Sequence, residues 1–174
     1  MLFEKIEDMG FSNVRKIKVS DITFEPSLID LCKLNTCGNY GRCYTCPPLV
    51  GETDKLIEKA KSYENAIIFQ KIYQLEDSFD IEGMGEGSRD FKERLQKVNE
   101  LAKEEIPTCL VLSAGGCKLC ERCGAIDNIP CRFPDKALAS LESYGMNVSK
   151  LAAACGVNYI NGQNTVTYFG GVLY

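Results

Sequence analysis

The chain has no histidine, no tryptophan, no excess of positive charge and no long apolar run. Each absence removes a class of function. Without histidine there is no Ser/His/Asp or Cys/His triad and no mixed Cys/His zinc finger. A net charge of -4 and a pI of about 5.0 argue against a broad nucleic-acid footprint, because binding a phosphate backbone needs a basic face. The longest apolar runs, NAIIF and TCLVL, fall far short of the ~20 residues that a bilayer-spanning helix requires. The opening stretch MLFEKIEDMG carries Glu4, Lys5, Glu7 and Asp8, so it lacks the apolar core of a signal peptide. The expectation is a cytoplasmic protein whose partners include neither membrane nor nucleic acid.

What the chain has in plenty is cysteine, ten in 174 residues. A reducing cytoplasm disfavours a disulfide scaffold. Thiolates are the metal-binding form of cysteine, and an all-thiolate donor set suits iron–sulfur clusters, zinc or copper(I). Metal binding is therefore the leading explanation.

The length suits one domain, residues 1–174, with its own core. A short helix closed by Gly10 is followed by a strand through Ile17 and Val19. Pro26 opens a short helix ending near Asn35. TDKLIEKAKSYE predicts a helix with Thr53 as N-cap, and NAIIFQKIYQL a central strand covered on both faces. DIEGMGEGSRD reads as a glycine-rich connection, with Ser88 available to cap the helix after it. That helix carries Phe91, Leu95, Val98 and Leu101 on one stripe and stops at Pro107. TCLVLSA is a buried strand, and DKALASLESYG and SKLAAACG are helices closed by Gly145 and Gly156. Asn161-Gly162 signals a C-terminal β-hairpin. The fold class is α/β (α+β), a single domain with a mixed β-sheet covered by helices.

Four cysteines, Cys117, Cys120, Cys123 and Cys131, fall within the loop 115–134. Zinc commonly takes C-x-x-C pairs from two separated turns. Three cysteines in succession at this spacing instead wrap a chain around a 4Fe-4S cluster, with the fourth ligand arriving from further on. Lys118, Arg122 and Arg132 offset the negative charge of four thiolates, helped by backbone N–H groups of the turns. Zinc is the alternative cofactor.

A second loop, 32–51, holds Cys32, Cys37, Cys43 and Cys46, attached to Pro47-Pro48. Four ligands would close a second cluster or a zinc site. Three would leave one iron open to water, substrate or a sulfur ligand, which makes it a Lewis acid rather than an electron relay. Tyr40, Arg42 and Tyr44 sit between the cysteines, as packing and charge compensation or as an anion clamp. Cys109, in a strand, and Cys155, on an alanine-rich helix, read as packing. EGMGEG departs from the G-x-G-x-x-G spacing of a nucleotide loop.

With both loops in view, the chain resembles a family of small cysteine-rich proteins of anaerobic bacteria and archaea, described as predicted metal-binding and without an established reaction. CGNYGRCYTCPP, GGCKLCERC followed by PCRFP, and ESYGMNV with the ending YFGGVLY carry the resemblance over residues 32–174. It extends to Cys32, Cys37, Cys46, Cys117, Cys120, Cys123 and Cys131, whereas Cys43 falls where the family pattern need not have cysteine. The resemblance implies metal binding, with Cys32, Cys37 and Cys46 as core ligands of the upstream site. The expected function is an iron–sulfur protein in electron transfer or redox chemistry, working with a redox partner protein or a small-molecule substrate. The alternatives are an enzyme with an open-coordination cluster at Cys32, Cys37 and Cys46, and a zinc-stabilised interaction module.

Overall fold

Residues Asn65–Gln74 form the strand around which the other elements pack, because Ala66 to Gln70 are buried without a break. A strand covered on both faces reads as a continuous apolar run rather than an alternation. The structure, a computed structural model, describes all of residues 1–174. Its strands are β1 (Asn13–Lys18), β2 (Asn65–Gln74), β3 (Leu110–Leu112) and β4 (Thr165–Leu173). They form one sheet in the order β1-β2-β4-β3. The helices are α1 (Leu2–Glu7), α2 (Leu28–Lys33), α3 (Thr53–Lys61), α4 (Ile81–Glu105) and α5 (Val148–Ala154).

Successive residues of β2 point to opposite faces, and each face carries its own core. Ile67 and Phe69 pack with Val172 of β4, Leu2 and Ile6 of α1, and Phe91 and Leu95 of α4. Ala66 and Ile68 pack on the other side with Leu141, Tyr144, Met146 and Leu151. Full burial of such side chains is worth ~1.5–3 kcal/mol each, so the two layers supply most of the driving force. The α+β class and the doubly covered central strand stand as expected. No helix is long and apolar enough to cross a membrane.

Several elements differ from the expectations. Every neighbouring pair of strands is antiparallel, so the sheet is not mixed. The glycine-rich connection is the first two turns of α4, which starts at Ile81. Asp80 caps it, its Oδ1 accepting from the Gly83 N–H at 2.8 Å, and Ser88 lies inside the helix. Gly87 is there for contact, because a Cβ on it would lie 2.9 Å from Cγ of the Tyr73 ring. The buried stripe runs Phe91, Leu95, Val98 and Ala102, with Leu101 only half-buried. Thr53 is the first helical residue of α3 rather than its cap, a position held by Glu52.

DKALASLESYG does not form an α-helix; only Glu142–Tyr144 make a 3-10 turn. The preceding residues spend their backbone groups on the end of β3. The Ser113 N–H donates to the Ala139 carbonyl at 2.7 Å, and the Leu141 N–H donates to the Ser113 carbonyl at 3.0 Å. The C-terminal hairpin is absent too. Residues 157–160 belong to no strand, and β4 pairs along its length with β2 and only at Gly171–Leu173 with β3. Asn161-Gly162 instead turns the chain into β4, with Asn161 Nδ2 donating to Asn158 O and Thr167 Oγ1.

A methyl group at Gly170 of β4 would sit 2.6 Å from the Phe69 ring and 3.1 Å from the Leu112 carbonyl oxygen. Gly170→Ala is therefore expected to destabilise the protein by ~1–3 kcal/mol, read as a lower midpoint of urea unfolding. Arg94 and Tyr73 both donate to Asp90 Oδ2, at 2.8 and 2.6 Å. Chiefly through the Arg94 bond, they hold its carboxyl below the usual aspartate value. A depressed carboxylate stabilises the fold above its unfolded pKa and loses that contribution as pH falls through the folded one. Asp90→Asn should lower stability at neutral pH and make the acid limb of a stability–pH curve shallower. An unchanged limb would show that other carboxylates carry it.

Candidate metal centre

The downstream cysteine loop is an excursion with both ends held at one point. It leaves the sheet after Ser113 and returns at Ala139, where the two Ser113 backbone bonds close its neck. Inside it the chain crosses closely: the Ile129 N–H donates to the Gly124 carbonyl at 2.9 Å. A Cβ on Gly124 would stand 2.6 Å from the Ile129 carbonyl oxygen, so no larger residue fits without moving backbone. Arg122 grips Asp127 with two bonds of 2.8 Å, and Arg132 donates to the Arg122 carbonyl at 3.1 Å. The first pair is exposed and screened by water, so it orients the loop more than it stabilises the protein.

The upstream loop is folded on itself by backbone bonds. Gly41 N–H donates to the Pro47 carbonyl at 2.9 Å, Arg42 N–H to Asn39 at 3.0 Å, and Cys46 N–H to Cys43 at 3.1 Å. The Pro47-Pro48 peptide is cis. The two loops meet. Tyr44 Oη donates to the Ile129 carbonyl at 2.7 Å. At Gly116 a Cβ would lie 2.7 Å from Asn39 Nδ2 and 3.6 Å from Cys46 Sγ.

This meeting regroups the cysteines. Cys117, Cys120, Cys123 and Cys131 line one small cavity, and the buried Cys43 of the upstream loop lines it with them. Cys43 is pulled down to about 4, most strongly by the hydrogen bond it shares with Cys46, then by Thr45 and the backbone N–H of Cys117. Cys46 is pushed up by that same shared bond and by burial. The two opposite shifts favour the thiolate, the metal-binding form of cysteine, at Cys43 rather than at Cys46. Cys117 is raised by burial. The half-buried Lys92 of α4 is lowered by burial, against the opposing pull of Cys117, Cys43 and Cys46, and donates to the Gly116 carbonyl.

Cys32 and Cys37 continue the series on the side of Cys46. Cys37 acts electrostatically on both Cys46 and Cys32. Cys32 is raised by burial, then by Cys37 and by Glu142. No three thiol or carboxylate groups close to within reach of a single ion; the cysteines line a space rather than clasp a point.

Lys92 and Glu142 carried no sequence signal as parts of the centre. Both lie far along the chain from the cysteines they face. Of the basic residues assigned to charge compensation, Arg122 is committed to Asp127, and Arg132 to a backbone carbonyl. Arg42 is exposed and outside every ion pair of the protein. Cys155 is buried within one core layer, and Cys109 packs against the other.

An all-thiol donor set gathered where two loops close on each other suits a soft metal. The chain matches the family described as predicted metal-binding protein (DUF2284) over residues 15–174, and it belongs to that family. No curated protein and no solved structure matches it.

Gly124→Ala should force the Ile129 carbonyl aside and break the contact that shapes the downstream loop. The expected result is a loss of ~1–3 kcal/mol in urea unfolding, together with reduced metal content in the purified protein. A variant with unchanged metal content would show that the crossing is dispensable to the centre.

Proposed function

We propose that this member of a metal-binding family is an iron–sulfur protein, with Cys117, Cys120, Cys123 and Cys131 holding a 4Fe-4S cluster. A second metal site draws on Cys32, Cys37 and Cys46. The observation that carries this reading is the single cavity lined by all four cysteines of the downstream loop and closed by Cys43 from the upstream one. The donor set fits the group, since thiolates are the usual ligands of such clusters and histidine is absent. When bound, the cluster supplies one-electron redox chemistry. The chain's own residues favour a thiolate at Cys43, and Lys92 stands beside Cys117, Cys43 and Cys46. The proposed role is cytoplasmic electron transfer or redox chemistry with a protein partner or a small molecule.

A second reading, an enzyme with an open iron, draws on the position of Cys43. Because its thiol lines the downstream cavity, Cys32, Cys37 and Cys46 are left as a three-thiol set, and three thiolates leave one position for an external ligand.

Anaerobic purification followed by iron, sulfide and zinc analysis tests the first reading. Iron and sulfide in about equal amounts are expected, with a sharp drop in Cys120→Ser, and a colourless zinc-loaded protein would overturn it. Cys43→Ser separates the two readings. An upstream site that survives with an exchangeable ligand supports the open iron, whereas its loss makes Cys43 a ligand.

A further inference from the structure

Cys117 borders a second, larger cavity of about 530 Å³ between α4 and the start of the downstream loop. Among the residues that α4 contributes, Ser88, Arg89, Lys92 and Gln96 recur at three- and four-residue spacing, so they share one helix face. Lys118 and Lys136 come in from the two arms of the cysteine loop. Four cations thus surround one space in a chain whose net charge is negative. None of the four belongs to any ion pair of the protein. Glu93 is the one acidic residue on the wall.

The cavity is graded in depth. Arg89, Lys118 and Lys136 are exposed, while Lys92 is half-buried with its Nζ tied to the Gly116 carbonyl. Gln96 donates from Nε2 to the Lys136 carbonyl at 2.8 Å, which leaves its buried Oε1 without a partner. No aromatic ring lines the space, so nothing offers a stacking surface for a nucleobase. The size lies in the range of small-molecule sites, roughly 300–1,000 Å³.

We infer that this cavity binds a small polyanion bearing two or more phosphate or carboxylate groups. Arg89, with its planar fork, and Lys136 hold it at the rim, and Lys92 faces it at depth. Binding does not depend on the metal reading of the cysteine loops. Use of the ligand as a redox substrate does rest on that reading, since it is the shared wall at Cys117 that would bring the two together.

Titration calorimetry on the full chain, purified anaerobically with its metal, tests this with pyrophosphate in one arm and citrate in the other. Binding of at least one is expected, with the stronger naming the phosphate or carboxylate source. Arg89→Gln and Lys136→Gln should each weaken it about tenfold or more, the scale of a lost charge-assisted hydrogen bond. Added salt should weaken it further, and Lys97→Gln, which alters an exposed cation of α4 outside the cavity wall, should not weaken it. Absence of binding in both arms, or equal binding in the two rim variants, overturns the inference. Iron and sulfide measured on the same samples keep the two readings apart. Pyrophosphate binding by a protein without iron would remove the cluster and leave the anion site.

Discussion

Two backbone hydrogen bonds at Ser113 hold the functional half of the molecule together. They join the end of β3 to Ala139 and Leu141, so that 25 residues leave the sheet and return to the same place. A loop whose ends are held together has fewer conformations to lose when it orders. That constraint matters because the loop has little core of its own, and its cysteines are half-buried rather than packed. The neck rests in turn on β4, since β3 has no other strand to pair with. Gly170 lets Phe69 and the Leu112 carbonyl approach β4 closely at that point. Core packing and loop geometry are therefore one problem at this edge of the sheet.

The electrostatics follow from the same arrangement. An acidic chain gathers thiols where two loops close, and a thiolate taken out of water needs a donor or a cation. Cys43 has both kinds of help, from Cys46, Thr45 and the Cys117 backbone as donors and from Lys92 as the nearby cation. Lys92 stands at the junction of the two cavities' shared region, facing the thiols and lining the basic cavity as well. The α4 face that carries it sets Arg89 and Lys92 on the basic cavity, both outside every ion pair of the protein.

Much of this was legible in the chain before folding was considered. The grouping of Cys117, Cys120, Cys123 and Cys131 is a local matter, because spacings of three to eight residues limit how far the thiols can separate. The central strand showed in its unbroken apolar run, and the α4 stripe in its three- and four-residue spacing. The failures had a common cause. Asp80 capping, the Gly87–Tyr73 contact and the extended run to Ser140 all depend on partners distant in sequence, which override local preference. Asn161-Gly162 has the residues of a hairpin turn, but the partner that β4 pairs with was already in the sheet.

The sequence by itself determined the donor chemistry: ten cysteines, no histidine, and loops too rich in glycine and proline for regular structure, because composition and short spacing need no fold to be read. Only the tertiary structure decided which thiols share a space. Cys43 stands three residues from Cys46 and 74 before Cys117, yet its thiol lines the downstream cavity. The Tyr44–Ile129 bond and the close pass at Gly116 bring the two loops there. Contacts between segments so far apart form only when the sheet has set both, and no spacing rule along the chain encodes them.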